Sequence, residues 1–196
     1  MIFFLPGAWG LGESVSQLQP SGYVNDFAHV LDADTTAQIT GLCQQIDENA
    51  HAQIALVTIN SLDGSDIESY AVDLFHKWGI GAKATNRGVL ILYAIKDHRA
   101  RIEVGYGLEP ILPDGKVGSF QREAIPLMRS ENYNQALLLV TRRVADVIAT
   151  DAGILLNPGD LLEIEFDTPT LSRMTAVVRS RNGFCFGLEF ITPLPS

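Results

Sequence analysis

Three short segments of this chain combine glycine, amide and carboxylate in a way that could do chemistry. GYVNDFAHVL (22–31) sets Asn25 and Asp26 in an otherwise apolar stretch leading into a helix. WGIGAKATNRGVLIL (78–92) puts Asn86 and Gly88 directly before a run of apolar residues. RIEVGYGLEPILPDG (101–115) surrounds its glycines with Glu103, Glu109 and Asp114. Oxygen ligands converging on a loop that glycine permits are what a hard cation, calcium or magnesium, requires. Taken singly, each carboxylate reads as a solvated surface group. The metal reading rests on their meeting at one place, and both readings stay open at this level.

Other chemistries leave no matching pattern. HExxH, CxxC, GxSxG and the phosphate-cradling GxxxxGK[ST] are all missing from the sequence. His29, His51, His76 and His98 are scattered at spacings that suit no common metal site. Asp32-Ala33-Asp34-Thr35 imitates the DxDxT nucleophile loop of haloacid-dehalogenase-type phosphatases, but only Val30 and Leu31 precede it where a long buried strand is needed. Capping of a helix accounts for both aspartates. Net charge is -9, from 14 Lys and Arg against 23 Asp and Glu. Nucleic acid and anionic membrane surfaces both call for clustered positive charge, so neither is expected as a partner. Cys43 and Cys185 each fall on an apolar face and read as buried thiols.

The elements that must position these segments follow from periodicity. Ile39, Leu42, Cys43, Ile46 and Ala50 recur at helical spacing, with Asp32 or Asp34 as the N-cap. QIALVTI (53–59) and GVLILYAI (88–95) are buried strands. Between them, Ile67, Tyr70, Ala71, Leu74, Phe75 and Trp78 make one stripe, with Ser65 and Glu68 as a capping box and Gly79 as the stop. Residues 100–104 alternate and run back along 88–95, so their exit lies beside Asn86 and Gly88 at one edge of the sheet. Two more helices follow, the first bent or ended early by Pro126, the second carrying Tyr133, Leu137, Val140, Val144 and Ile148. The expected fold class is therefore α/β: a three-layer α/β/α sandwich with a mixed central sheet over residues 22–152. A small antiparallel β appendage should follow over 157–192, where apolar residues alternate and Asn182-Gly183 signals a hairpin turn. Its Phe184, Phe186 and Phe190 face would favour a homodimer through that segment. No apolar run is long enough to span a bilayer. Residues 1–20 begin MIFFLPGAWGLG and look like the later part of a signal peptide, which points to export and a periplasmic location, with the bacterial cytoplasm as the alternative.

Taken together, VNDFAHVL, YAVDLFHKWGIG, NRGVLILYA and RIEVGYGLE, in that order, resemble the TPM domain family over roughly residues 22–150. That family includes a thylakoid lumen phosphatase, a photosystem repair factor and a nematode receptor modulator. The resemblance implies an α/β/α sandwich, frequent export, divalent-metal binding and, for some members, weak acid phosphatase activity. It also implies a metal role for Asp26, Asn86, Glu103 and Glu109, which fall on the family's recurrent polar positions. Residues 159–190 resemble the second half of a PilZ β-barrel. The RxxxR and DxSxxG motifs that bind nucleotide in that family do not occur upstream, so the likeness implies strand topology alone.

Three functions are compatible with this reading. The first is an exported metal-binding accessory module, docking on a membrane-associated or envelope protein complex. The second is a divalent-metal-dependent acid phosphatase, in which the cation polarises the phosphoryl oxygen and activates a water. The third is a PilZ-like regulatory binding module.

Overall fold

The computed structural model describes residues 13–81 and 85–154 with their side chains, and the backbone of 161–165, 173–182 and 185–191. The chain divides into two compact units, 1–148 and 149–196. The leader-like residues 1–12 lie outside the described residues.

In the first unit, β1 (Val24–Asp26) leads to α1 (Ala33–Ala50), β2 (Gln53–Ile59), α2 (Ile67–Trp78), β3 (Gly88–Ala94) and β4 (Arg99–Val104). Two helices close it, α3 (Asp114–Arg129) and α4 (Tyr133–Asp151). The sheet order is β1-β2-β3-β4, with the first three strands parallel and β4 antiparallel to β3. The sheet is therefore mixed, as the strand–helix alternation predicts, and it stays open with β1 and β4 as its edges.

Local chemistry explains most element ends. Asp32 caps α1 by accepting from the Thr35 N–H at 2.7 Å. Its apolar stripe, Ile39, Leu42, Cys43, Ile46 and Ala50, is buried. Burial pushes the Cys43 thiol up to about 12, which leaves it protonated and inert at neutral pH. For α2 the cap is Asp66, accepting from the Ser69 N–H at 3.0 Å, and not the expected Ser65. Gly79 ends α2 in the left-handed conformation at φ 63°. Pro126 does not end α3, which continues to Arg129. The residue is exposed, and so is Arg122 four positions earlier, so water can satisfy the carbonyl that the missing N–H leaves free.

The two central strands, β2 and β3, are buried on both faces. Ala55, Val57, Ile59, Leu90, Leu92 and Ala94 pack with Ile67, Tyr70, Ala71 and Leu74 of α2 in one core. Their strand neighbours Ile54, Leu56, Val89 and Ile91 point the other way and are equally buried. Alternation with burial on both sides requires helices on both faces, and it explains why β2 and β3 read as continuous apolar runs.

The domain closes on the helix α4. In the second unit β5 (Leu161–Glu165), β6 (Arg173–Asn182) and β7 (Cys185–Ile191) pair antiparallel in that order. Asn182 pairs with Cys185 across the expected turn, while Gly183 and Phe184 are outside the described residues. So are the side chains of these strands, including the phenylalanine face on which the dimer expectation rested. Among the described residues no helix is long and apolar enough to cross a membrane.

Candidate functional site

Strand direction decides which candidate residues meet. Because β1, β2 and β3 are parallel, Asp26 shares the C-terminal edge of the sheet with Thr58 and the β3–β4 turn. Asn86 precedes β3 and Glu109 follows β4, so both belong to the opposite edge. From the Thr58 row to the Gln53–Gly88 row, β2 spans roughly 17 Å at about 3.3–3.4 Å per residue. Asp26, Asn86, Glu103 and Glu109 therefore cannot ligate one cation. The hairpin exit lies beside Asn86, as the alternation of 100–104 predicts, whereas Asp26, expected at that edge, stands at the other one. Among the described residues no group of three His, Cys, Asp or Glu is placed to hold a metal ion.

Each of the four has its own surroundings. Asp26 is half-buried, and its carboxylate is committed to the protein. It accepts from the Leu31 N–H at 2.8 Å, the Val30 N–H at 3.2 Å and the Thr58 hydroxyl. The aspartate thus folds the β1–α1 loop back onto β2. Glu103 accepts from Arg101 at 3.1 Å on the same strand, and its register partner is Leu90, which belongs to the α2 core. Asn86 and Glu109 are exposed.

The Asn86 edge is built by glycine. The Gly105 N–H donates to the Gly88 carbonyl at 2.7 Å, and the Gly107 N–H to the Asn86 carbonyl at 3.1 Å. A Cβ on Gly107 would stand 2.1 Å from the Thr85 carbonyl oxygen, and one on Gly105 2.4 Å from that of Asn86. A Cβ on Gly88 would meet the Ile80 carbonyl oxygen at 2.5 Å. Three backbone segments are pressed together where no side chain fits, and Tyr106, 79% exposed, projects from the result.

Two further carboxylates, Glu13 and Asp97, act at the other edge. Glu13 accepts from the Asn60 side chain at 2.6 Å, the Asn60 N–H at 3.0 Å and the Ser61 N–H at 3.3 Å. Asp97 accepts from the Leu62 N–H at 2.8 Å. Both fasten the loop after β2, and neither carries a local sequence signal because the partners are distant in the chain. Burial acts to raise the Glu13 carboxyl, but the hydrogen bonds from Asn60 and Ser61 outweigh it and leave the group below its ordinary 4.5. A depressed carboxylate stabilises the fold above its unfolded value and loses that contribution as pH falls through the folded one. Stability of the full chain should therefore decline below about pH 4.5, and Glu13→Gln should shallow that decline in acid titrations followed by circular dichroism.

Comparison with known proteins agrees with this architecture. The TPM domain matches residues 24–147, which is most of the chain, so the protein belongs to the TPM domain family. The match does not reach 157–192 and gives the PilZ-like reading no support. Among solved structures, the N-terminal domain of a protein from P. gingivalis is 30% identical, with a TM-score of 0.63 over 67% of this chain and 84% of that one. The N-terminal domain of a Corynebacterium glutamicum protein (15% identical, TM-score 0.51) is covered over 78% of its length and 64% of this chain. A protein of the psychrophilic bacterium Bizionia argentinensis (19%, TM-score 0.54) is covered over 82% of its length and 61% of this chain. These last two show the fold alone. A comparison with curated proteins found no match.

Proposed function

We propose that this chain is a TPM-type accessory module that works by docking the glycine-built edge of its sheet onto a membrane-associated or envelope protein complex. The observation that carries the reading is that edge: a rigid backbone junction presenting a bare tyrosine, Tyr106, beside exposed Asn86 and Glu109. Aromatic side chains on rigid supports supply contact area at low entropic cost, the usual property of an interface anchor. Divalent-cation binding enters this proposal for Asn86 and Glu109 only, whose oxygens are of the kind calcium or magnesium takes. Asp26 is too distant to share it, and its carboxylate is occupied by three protein donors.

The test is thermal denaturation of the full chain after chelation, with calcium and then magnesium added back. A ligand bound to the native state alone stabilises by about 2.7 kcal/mol at a hundredfold excess over Kd. The expected result is a saturable rise that Glu109→Ala removes and Asp26→Asn keeps. A rise that Asp26→Asn removes, together with p-nitrophenyl phosphate turnover lost in the same variant, would replace this reading with a phosphomonoesterase.

A further inference from the structure

A cavity of about 740 Å³ opens beside β3 and β4, far along the sheet from the glycine-built edge. Its volume falls in the range of small-molecule sites, about 300–1,000 Å³. Ala100, Gly118, Ile125 and Met128 give it an apolar wall. Arg122 and Arg129 of α3 line it with His98, against the single carboxylate of Glu131; Arg99, also at the rim, is the register partner of Ala94 in the α2 core, and its charge acts on Asp66. This is a local reversal of sign in a chain whose net charge is -9. Among the described residues neither Arg122 nor Arg129 is held in an ion pair.

The second observation is a hydroxyl without a partner. Tyr93 lines the cavity, is only 3% exposed, and its Oη makes no hydrogen bond among the described residues. Burial raises the phenol well above its ordinary value, so it remains a neutral O–H donor. A buried donor left unpaired destabilises the fold, and a structure that keeps one invites an explanation. Here an acceptor pressed against the cavity wall would complete it.

We propose that this cavity is a binding site for a small amphiphilic carboxylate. The guanidinium groups at the rim take the anionic head, since their planar forks match a carboxylate bidentately. Ala100, Ile125 and Met128 take the apolar body, and Tyr93 Oη donates to a ligand oxygen. The choice of a monoanion over a phosphate dianion follows from α3. The lining residues Arg122, Ile125, Met128 and Arg129 come from its C-terminal half, where the helix dipole is negative and opposes a second ligand charge.

The experiment is a nitrogen-15 NMR titration of the full chain with 4-phenylbutyrate up to about 10 mM, the weak end of measurable affinity. Saturable shifts are expected at Ala100, Gly118 and Gln121. Arg122→Glu combined with Arg129→Glu should weaken binding at least about tenfold. Gly118→Leu, which adds bulk to the wall without altering charge, should abolish it. Tyr93→Phe should weaken binding by about fivefold and raise the melting temperature of the free protein, because it deletes the unpaired hydroxyl. A residue serving packing alone would not move those two readouts in opposite directions. Absence of saturable shifts, or equal binding of 4-phenylbutylamine, would overturn the site. Tighter binding of phenyl phosphate than of the carboxylate would overturn the ligand class. An affinity unchanged by Tyr93→Phe would overturn the role of its hydroxyl.

Discussion

Replacing Gly107 with alanine is expected to destabilise the domain by about 3 kcal/mol or more, at the upper end of what overpacking costs. The added methyl would lie 2.1 Å from the Thr85 carbonyl oxygen and 3.2 Å from the Asn86 carbonyl carbon, both backbone atoms that no rotamer can move. Relief requires the 105–107 and 85–88 segments to part, which breaks the bonds from Gly105 to Gly88 and from Gly107 to Asn86. The β3–β4 pairing that begins at Val89 and Val104 then loses its closed end. Gly115→Ala is the control. It lies in the first turn of α3 with nothing within 4 Å of the added carbon. There the gain in helix propensity, up to about 1 kcal/mol, should leave stability equal or higher. Urea unfolding of the two variants measures the difference directly. If Gly107→Ala unfolds with the midpoint of the parent, the junction is not rigid, and the docking surface proposed for it loses its basis.

How much of this could be read from the sequence depends on the range of the interaction. The stripe of α2 and its Gly79 stop, a capping aspartate for α1 (Asp32 or Asp34, of which the structure takes Asp32) and the apolar runs of β2 and β3 are set by neighbours within a few positions, and all were legible. The capping aspartate of α2 was missed by one position because Ser65, Asp66 and Glu68 offer overlapping capping patterns, and tertiary packing chose among them. Strand β1 was not recognised: three residues, Val-Asn-Asp, carry no periodicity, and only pairing with β2 makes them a strand. That pairing also decides the edge. A parallel β1 carries Asp26 to the far end of the sheet from Asn86, and nothing within either segment encodes the direction. The resemblance at the four motifs identified the family correctly, yet shared motif positions do not establish shared ligation. Tyr93 is the opposite case. A single hydroxyl in the run GVLILYAI was visible in the sequence, but whether it found a partner is a property of the folded surroundings.

Asp26→Ala is the second large effect, expected to cost about 2–4 kcal/mol because it strands several polar groups at once. The Val30 and Leu31 N–H groups and the Thr58 hydroxyl all lose the acceptor that folds the β1–α1 loop onto β2. For a domain of this size that is roughly a 6–12 °C fall in Tm, at about 3 °C per kcal/mol. Asp26→Asn keeps one oxygen acceptor and turns the other position into a donor facing a donor, so it should cost about half as much. A double-mutant cycle with Thr58→Val isolates the part carried by the hydroxyl, since neighbours sharing a bond are not additive. With Asp26 already alanine, Thr58→Val should cost only what remains of the hydroxyl's role, its acceptance from the Ala28 N–H at 3.3 Å, so the shortfall from additivity measures the bond to Asp26. The cycle also separates two meanings of this carboxylate. A residue held for its charge towards a ligand would lose function in Asp26→Asn while keeping its Tm, whereas a residue that fastens a loop loses stability in proportion to the donors it abandons. The three donors on Asp26 place it in the second group, and a Tm unchanged in Asp26→Ala would remove it from there.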